Sequence, residues 1–255
     1  MRVVLIGAGR LATQLGMALR SAEHEITAVW SRSMESAEML ALRVGSKQTN
    51  DLAQLPLEAD AFVVSVKDAA LEMVVAEAVK GRRQQLFLHT AGSMPLDVFA
   101  GHASRYGVFY PMQSFSKERR VDFAEIPVFI EASDADSLSL TRSLAESVSR
   151  RVCELPTSER KYLHLAAVFA CNFANHCYDL ASQVLERHGL PFDVMLPLVD
   201  ETARKVHELS PHDAQTGPAV RYDENVISMQ RSLLADRPDL QEVYDLMSRS
   251  IHNCQ

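Results

Sequence analysis

The chain has 255 residues, of which 47% are hydrophobic and 23% charged, enough for one large domain or two modest ones with an ordinary globular core. That composition excludes a disordered tail, a collagenous repeat and a disulfide-dense scaffold. Its 26 basic and 33 acidic residues leave a net charge of −7, which argues against a nucleic-acid partner.

No apolar run approaches the roughly 20 residues of a membrane span, so no membrane partner is expected. The four cysteines, Cys153, Cys171, Cys177 and Cys254, show no metal spacing and read as reduced thiols of a cytoplasmic protein. The scattered histidines suggest no metal site. His24, His102, His188, His207 and His252 read as surface residues, and the pair Arg82-Arg83 as a solvated loop.

In chain order, residues 2–6 (Arg-Val-Val-Leu-Ile) predict a buried parallel strand stopped by glycine. A helix is expected over 9–21, a strand over 25–30 and a helix from Ser33 to Gly45. Residues 61–66 predict the next strand, with Asp68 capping the helix after it. Further strands are expected at 85–89, 108–110, 127–131 and 151–155, with a helix over 134–149. Alternating strands and helices with apolar strands imply an α/β fold, an open parallel sheet covered by helices on both faces.

From about residue 156 the texture changes to helix after helix. A long helix is predicted over 158–188, closed by Gly189 and followed by Pro191, which can start a helix over 191–209. The stretch 210–218 is turn-rich, and helices over 223–235 and 238–252 end the chain. The expected domains are therefore 1–155 and 156–255.

Gly7-Ala8-Gly9-Arg10-Leu11-Ala12 matches GxGxxA and sits between the first strand and the first helix. There Gly7 permits a tight turn, Gly9 lets backbone approach a pyrophosphate, and Ala12 allows close helix–strand packing. An NAD-binding second strand ends in an acid that holds the ribose 2′-hydroxyl. Here the strand ends in Ser31-Arg32-Ser33, a cation flanked by hydroxyls, which suits the 2′-phosphate of NADP. Ser65 and Val66 follow the third of these strands and are expected against the nicotinamide ribose. Lys67 is either exposed or functional. Thr90 and Gly92 follow the fourth, where small residues let a nicotinamide lie on backbone.

On the long helix, Tyr162, Ala166, Phe169, Phe173, Cys177, Leu180 and Val184 form an apolar seam. Another face carries Lys161, His164, Val168, Asn172, Asn175 and Asp179 and is a candidate site lining. His164 is the first choice for a proton donor or acceptor, because histidine titrates nearest neutrality. Lys161 is the second choice, and Asn172 would orient a substrate atom. After Thr216-Gly217-Pro218, Arg221 could hold a substrate anion or could merely pair with Asp223 at the surface.

The turns GAGRLA, WSRS and SVKD resemble the 6-phosphogluconate dehydrogenase-like superfamily, which includes pyrroline-5-carboxylate reductase and prephenate dehydrogenase. Five segments resemble, more closely, a bacterial family that joins a Rossmann-like NADP-binding domain to a helical C-terminal domain of unknown function. They are residues 89–93 (His-Thr-Ala-Gly-Ser), 110–115 (Tyr-Pro-Met-Gln-Ser-Phe), 162–167 (Tyr-Leu-His-Leu-Ala-Ala), 172–173 (Asn-Phe) and 216–223 (Thr-Gly-Pro-Ala-Val-Arg-Tyr-Asp).

The resemblance implies a Rossmann-type doubly wound, mostly parallel sheet followed by an all-α domain, and a homodimer built through that domain. It also implies a site between the domains lined by His164, Asn172, Thr216, Arg221 and Asp223, with Ser93 and Gln113 carried as further substrate candidates. Two departures stand out. Tyr222 replaces a glycine of the family, so a different loop backbone is expected. Lys161 is followed four residues later by Leu165, not by the Asn of the hydroxyacid dehydrogenases, so their lysine role does not carry over.

These features together point to an NADP-dependent oxidoreductase. It would move hydride between the nicotinamide and a small, anionic carbonyl, imine or alcohol substrate. The alternative is a non-catalytic NADP-binding regulatory or redox-sensing dimer. It shares the fingerprint but needs no second polar cluster.

Overall fold

The computed structural model describes residues 1–254. They divide into two compact units, one over Met1–Asn172 and one from Phe173 onward.

The first unit is an eight-stranded sheet with helices on both faces. Its strands are β1 (Arg2–Ile6), β2 (Glu25–Trp30), β3 (Lys47–Thr49), β4 (Ala61–Val64), β5 (Leu86–His89), β6 (Arg105–Pro111), β7 (Val128–Ala132) and β8 (Val152–Glu154). Its helices are α1 (Arg10–Ser21), α2 (Met34–Val44), α3 (Asp68–Ala78), α4 (Ala135–Glu146) and α5 (Thr157–Ala167). The strand order is β3-β2-β1-β4-β5-β6-β7-β8, and only the β6–β7 pairing is antiparallel. From β1 the chain builds outward to β2 and β3, then returns to place β4 on the other side of β1. The C-terminal ends of β1 and β4 therefore flank the point where the winding reverses, which is where open sheets of this kind hold ligands.

The pleat divides the core. Along β1, Val3 and Leu5 join one buried cluster with Ala12, Leu15 and Leu40, while Val4 and Ile6 join another with Phe62, Val74 and Phe87. Successive strand residues point to opposite faces, so β1, covered on both sides, is apolar from Val3 to Ile6. Phe62 and Phe87 stack with centroids 4.7 Å apart in the second cluster. Gly16 lets α1 settle onto the sheet, since a Cβ there would lie 2.8 Å from Leu5 Cδ1.

The sequence gives no sign of β3. It is three residues long and polar, an edge strand held by backbone pairing to β2. Asp68 is not a cap. Lys67 occupies that position without a side-chain bond, and the Asp68 carboxylate accepts from the Ser93 hydroxyl.

Two residues expected at the surface are buried. His24 is enclosed and its Nε2 bonds the Ser147 hydroxyl oxygen. Arg82 is buried because its guanidinium donates to five carbonyls, those of Ala53, Leu55, Pro56, Ala78 and Lys80. Those bonds satisfy a cation that would otherwise be costly to bury, and carbonyl partners leave no mark in a sequence.

The predicted long helix is three pieces: α5, a π-helical stretch Val168–Phe173, and α6 (Ala174–Arg187). The wider π turn shifts the side-chain period, so the predicted stripe does not continue straight from His164 to Asp179. The remaining helices of the second unit are α7 (Leu196–Glu208), preceded by a 3₁₀ turn at Phe192–Met195, α8 (Glu224–Ser232) and α9 (Pro238–Asn253). Among its described residues only Ala219, Leu240 and Ser248 are buried, while Leu198, Leu233 and Leu246 are 58%, 71% and 60% exposed. No helix among the described residues is long and apolar enough to cross a membrane.

Candidate active site

The turn after β1 forms the first part of the site. Gly7 donates its N–H to Trp30 O at 2.8 Å and has φ +124, and a Cβ there would collide with the Ser65 carbonyl. No residue with a side chain can occupy that position without parting β1 from the loop after β4. Gly9 differs. Its φ is −77, and a Cβ would meet no protein atom within 4 Å. Packing within the protein does not require a glycine at 9, whereas close approach of a ligand to the backbone does.

Gly7, Ala8 and Gly9 line a cavity of about 550 Å³ with Ser31, Arg32, Ser33, Ser65 and Val66. Arg10 and Leu11 open α1 from the same turn, and buried Ala12 faces the core. The Ser33 oxygen caps α2 by accepting from the Ser36 N–H at 3.4 Å, which leaves its own O–H to donate. Arg32 is exposed, and no carboxylate ends β2. Ser36, Lys67, Glu77 and Lys117 also line this cavity. Ser36 and Lys117 went unnoticed in the sequence because neither belongs to the fingerprint.

A second cavity of about 590 Å³ brings together Gln113, His164 and Asn172, with Tyr110, Met112, Phe115 and Cys171. It has the size of a small-molecule site. The π turn supplies Ala170, Cys171 and Asn172 to its wall. Gln113 accepts the Ser114 N–H at 2.8 Å through Oε1, leaving its amide hydrogens to donate.

Tyr110 is the next-to-last residue of β6 and is 7% exposed, and its hydroxyl lies 2.9 Å from His164 Nδ1. Burial raises the Tyr110 pKa, which the nearby Arg160 charge only partly offsets, so the phenol keeps its proton. A protonated phenol can donate to Nδ1, an arrangement that would leave the imidazole proton on Nε2. Gly92 makes this pair possible. A Cβ there would lie 2.5 Å from His164 Nδ1 and 2.8 Å from the Tyr110 ring. Tyr110 was absent from the sequence candidates, although a residue at the C-terminal end of a parallel strand is well placed to face the site.

The loop after β5 is held from beneath. Arg160 is 1% exposed and donates to Glu131 Oε2 at 2.6 Å, to Met94 O at 2.7 Å and to Thr157 Oγ1 at 3.0 Å. Its Nε has no partner. Thr157 donates to Glu131 Oε2 and accepts the Leu96 N–H. Burial pushes the Glu131 pKa up, but the bonds from Thr157 and Arg160 outweigh it and hold the carboxyl below its usual range.

His89 is fully buried, accepting the Ala91 N–H at Nδ1 (3.2 Å) and facing Pro95 O from Nε2 (3.2 Å). That pairing fixes the neutral tautomer with its proton on Nε2. Burial, reinforced by the Arg160 charge, lowers its pKa to about 4. The neutral ring's contribution is fully present above the unfolded value near 6.5 and is lost as pH falls toward 4. Urea unfolding should show about 2 kcal/mol less stability at pH 5 than at pH 7 from this group, a difference that His89→Gln removes.

Other candidates stand apart from these two cavities. Thr90 is buried and its N–H reaches Val64 O at 3.2 Å. Ser93 is engaged with Asp68. Lys161 lines neither cavity, its ammonium lying 4.9 Å above the Tyr162 ring.

In the second unit, Thr216 and Arg221 are exposed, and Asp223 caps α8 by accepting the Val226 N–H at 3.3 Å. Arg221 makes no ion pair with Asp223 among the described residues. Tyr222 has φ +50, the left-handed conformation that glycine favours, and its ring packs at a tilt against His252 with centroids 4.7 Å apart. No group of three His, Cys, Asp or Glu side chains suited to a metal occurs among the described residues.

Residues 1–110 match the family described as a Rossmann-like domain, and residues 126–251 match the domain of unknown function DUF2520. No curated protein sequence matches the chain. Among solved structures, the protein BF3122 of Bacteroides fragilis, named for a presumed NADP oxidoreductase activity, shares 53% identity. The match covers 99% of this chain and 98% of that one, with a TM-score of 0.96.

An imine reductase of Myxococcus stipitatus in complex with NADP+ shares the fold at 17% identity and TM-score 0.73, covering 99% and 93% of the two chains. A pyrroline-5-carboxylate reductase of Coxiella burnetii does so at 19% identity and TM-score 0.60, covering 98% and 96%. By its 53% identity over nearly the whole length and by both domain matches, the chain belongs to the family that joins a Rossmann-like domain to the DUF2520 domain.

Proposed function

We propose that the protein is an NADP-dependent oxidoreductase that moves hydride between the nicotinamide and a small carbonyl, imine or alcohol carbon, with His164 handling the proton. The observation that carries this reading is the cavity at the winding reversal. There the Gly7–Gly9 turn and the Arg32–Ser33 corner face one space, and no carboxylate ends β2 to hold a 2′-hydroxyl. The presumed activity of the Bacteroides fragilis relative supports it.

The residues present fit a dinucleotide. Gly7 and Gly9 offer backbone to the pyrophosphate at the start of α1, and Ser31, Arg32 and Ser33 offer donors to a 2′-phosphate. Ser65, Val66, Thr90 and Gly92 follow β4 and β5 and are assigned to the nicotinamide half. When bound, the cofactor supplies or accepts hydride.

The chain's own residues do the rest. Tyr110 holds His164 in the tautomer that presents Nε2–H, a proton for a substrate oxygen or nitrogen as hydride arrives. In the reverse direction Nε2 takes that proton back. Asn172 and Gln113, in the same cavity, orient the substrate, and we assign Ser93, Thr216, Arg221 and Asp223 to its polar groups, with Arg221 for an anion. Lys161 remains a second proton donor.

The exposed apolar side chains of the second unit support a homodimer formed through that unit, because leaving so much apolar surface in water is unfavourable.

Calorimetric titration tests the cofactor assignment. Arg32→Ala should weaken NADPH binding by about 10- to 100-fold and leave NADH binding unchanged. Equal affinity for the two cofactors in the unmodified protein would overturn the 2′-phosphate role.

A further inference from the structure

Between β6 and β7, residues 112–122 pass both cavities. Met112, Gln113, Ser114 and Phe115 line the one that holds His164, and Lys117 lines the one that holds Gly7, Gly9 and Arg32. This loop is fastened. Phe115 stacks on Phe123 with centroids 6.0 Å apart and packs against the apolar cluster that contains α1.

Its second anchor is Gln14, a polar side chain of α1 only 3% exposed, whose Nε2 donates to Ser116 O at 2.8 Å and to Arg119 O at 3.0 Å. A buried amide without partners would be costly, so these two bonds hold the segment 116–119 in place. Lys117 lies between the two clasped carbonyls, and the clasp sits little more than one turn beyond Gly9.

We infer that Lys117 is a phosphate-binding residue of the dinucleotide site, its ammonium pairing with the pyrophosphate at the start of α1, and that Gln14 is the positioning residue that delivers it. The inference rests on the dinucleotide reading above. The pyrophosphate is favoured over the 2′-phosphate because the loop is tied to α1. The 2′-phosphate has its own cation in Arg32 and its own hydroxyls at the end of β2. The cavity's other titratable groups are Lys67 and Glu77, and Glu77 adds a negative charge that a second cation near the phosphates offsets.

The pyrophosphate is common to NADPH and NADH, and this separates Lys117 from Arg32. Both cofactors should be titrated calorimetrically at low and high salt against the full-length protein and its Lys117→Gln, Lys117→Arg and Gln14→Leu variants. Lys117→Gln should weaken both cofactors by the same factor, about five- to tenfold at low salt, and the difference should shrink as salt rises.

Lys117→Arg should bind like the unmodified protein. Gln14→Leu should reproduce the uniform weakening, and adding Lys117→Gln to it should cost little more. Unchanged affinity in Lys117→Gln, or a loss confined to NADPH, would overturn the assignment. If the unmodified protein bound neither cofactor, the dinucleotide reading itself would fall, and this inference with it.

Discussion

His164→Gln should slow turnover by about 10²- to 10⁴-fold and leave NADPH affinity within a factor of about two. Glutamine keeps a polar side chain of similar reach but cannot exchange a proton near neutrality. Tyr110→Phe should cost less, about tenfold, because it removes the hydroxyl that selects the His164 tautomer and leaves the imidazole in place. Its further signature is a changed pH profile, since the ring nitrogen at 2.9 Å loses its partner. The readout is kcat on a substrate found by screening small imines and ketoacids. Full turnover in His164→Gln would remove His164 from the chemistry and bring Lys161 forward.

The second large effect concerns stability. Arg160→Met should destabilise the protein by about 3–5 kcal/mol, because it leaves the Glu131 carboxylate without its cation and frees Met94 O. Tm should fall by roughly 10 °C, read by scanning calorimetry. The double variant Arg160→Met with Glu131→Leu should recover much of that loss, because no unpaired charge is then buried. The single variant should also slow turnover beyond its effect on stability. Arg160 bonds the loop whose Gly92 packs on His164, and a looser loop relaxes the Tyr110–His164 pair. A single variant as stable as the unmodified protein would show that the Arg160–Glu131 pair is dispensable.

The parts legible in the sequence are those whose cause is local. The turn at 7–12 could be read because the strand end, the two glycines and the start of α1 lie within a few residues, and the chemistry of that turn demands them in that order. Most strands declared themselves by apolar runs, because a sheet covered on both faces favours apolar side chains and admits a polar one only where it finds partners, as His89 does. β3 stayed hidden because its polar residues owe their strand geometry to β2 alone.

The parts that were not legible arise from distant pairs. Tyr110 and His164 are 54 residues apart, and only the fold brings the phenol to the imidazole. Arg82 looks like a surface cation until the carbonyls that surround it are known, and nothing local marks Arg160 as the partner of Glu131 and Met94 O. The π turn at Val168–Phe173 defeats a periodic reading because it changes the period itself. It contributes Asn172 to the cavity wall while interrupting the helical stripe predicted to carry it.

Trp30 reports on whether NADPH occupies the cavity between the glycine turn and Arg32. It is the single tryptophan of the chain, it is 8% exposed, and it lines that cavity. Reduced nicotinamide absorbs where indole emits, so titration with NADPH should quench Trp30 emission saturably, with a midpoint that matches calorimetry and shifts in Arg32→Ala. Binding seen by calorimetry without any change in Trp30 emission would place the cofactor outside this cavity.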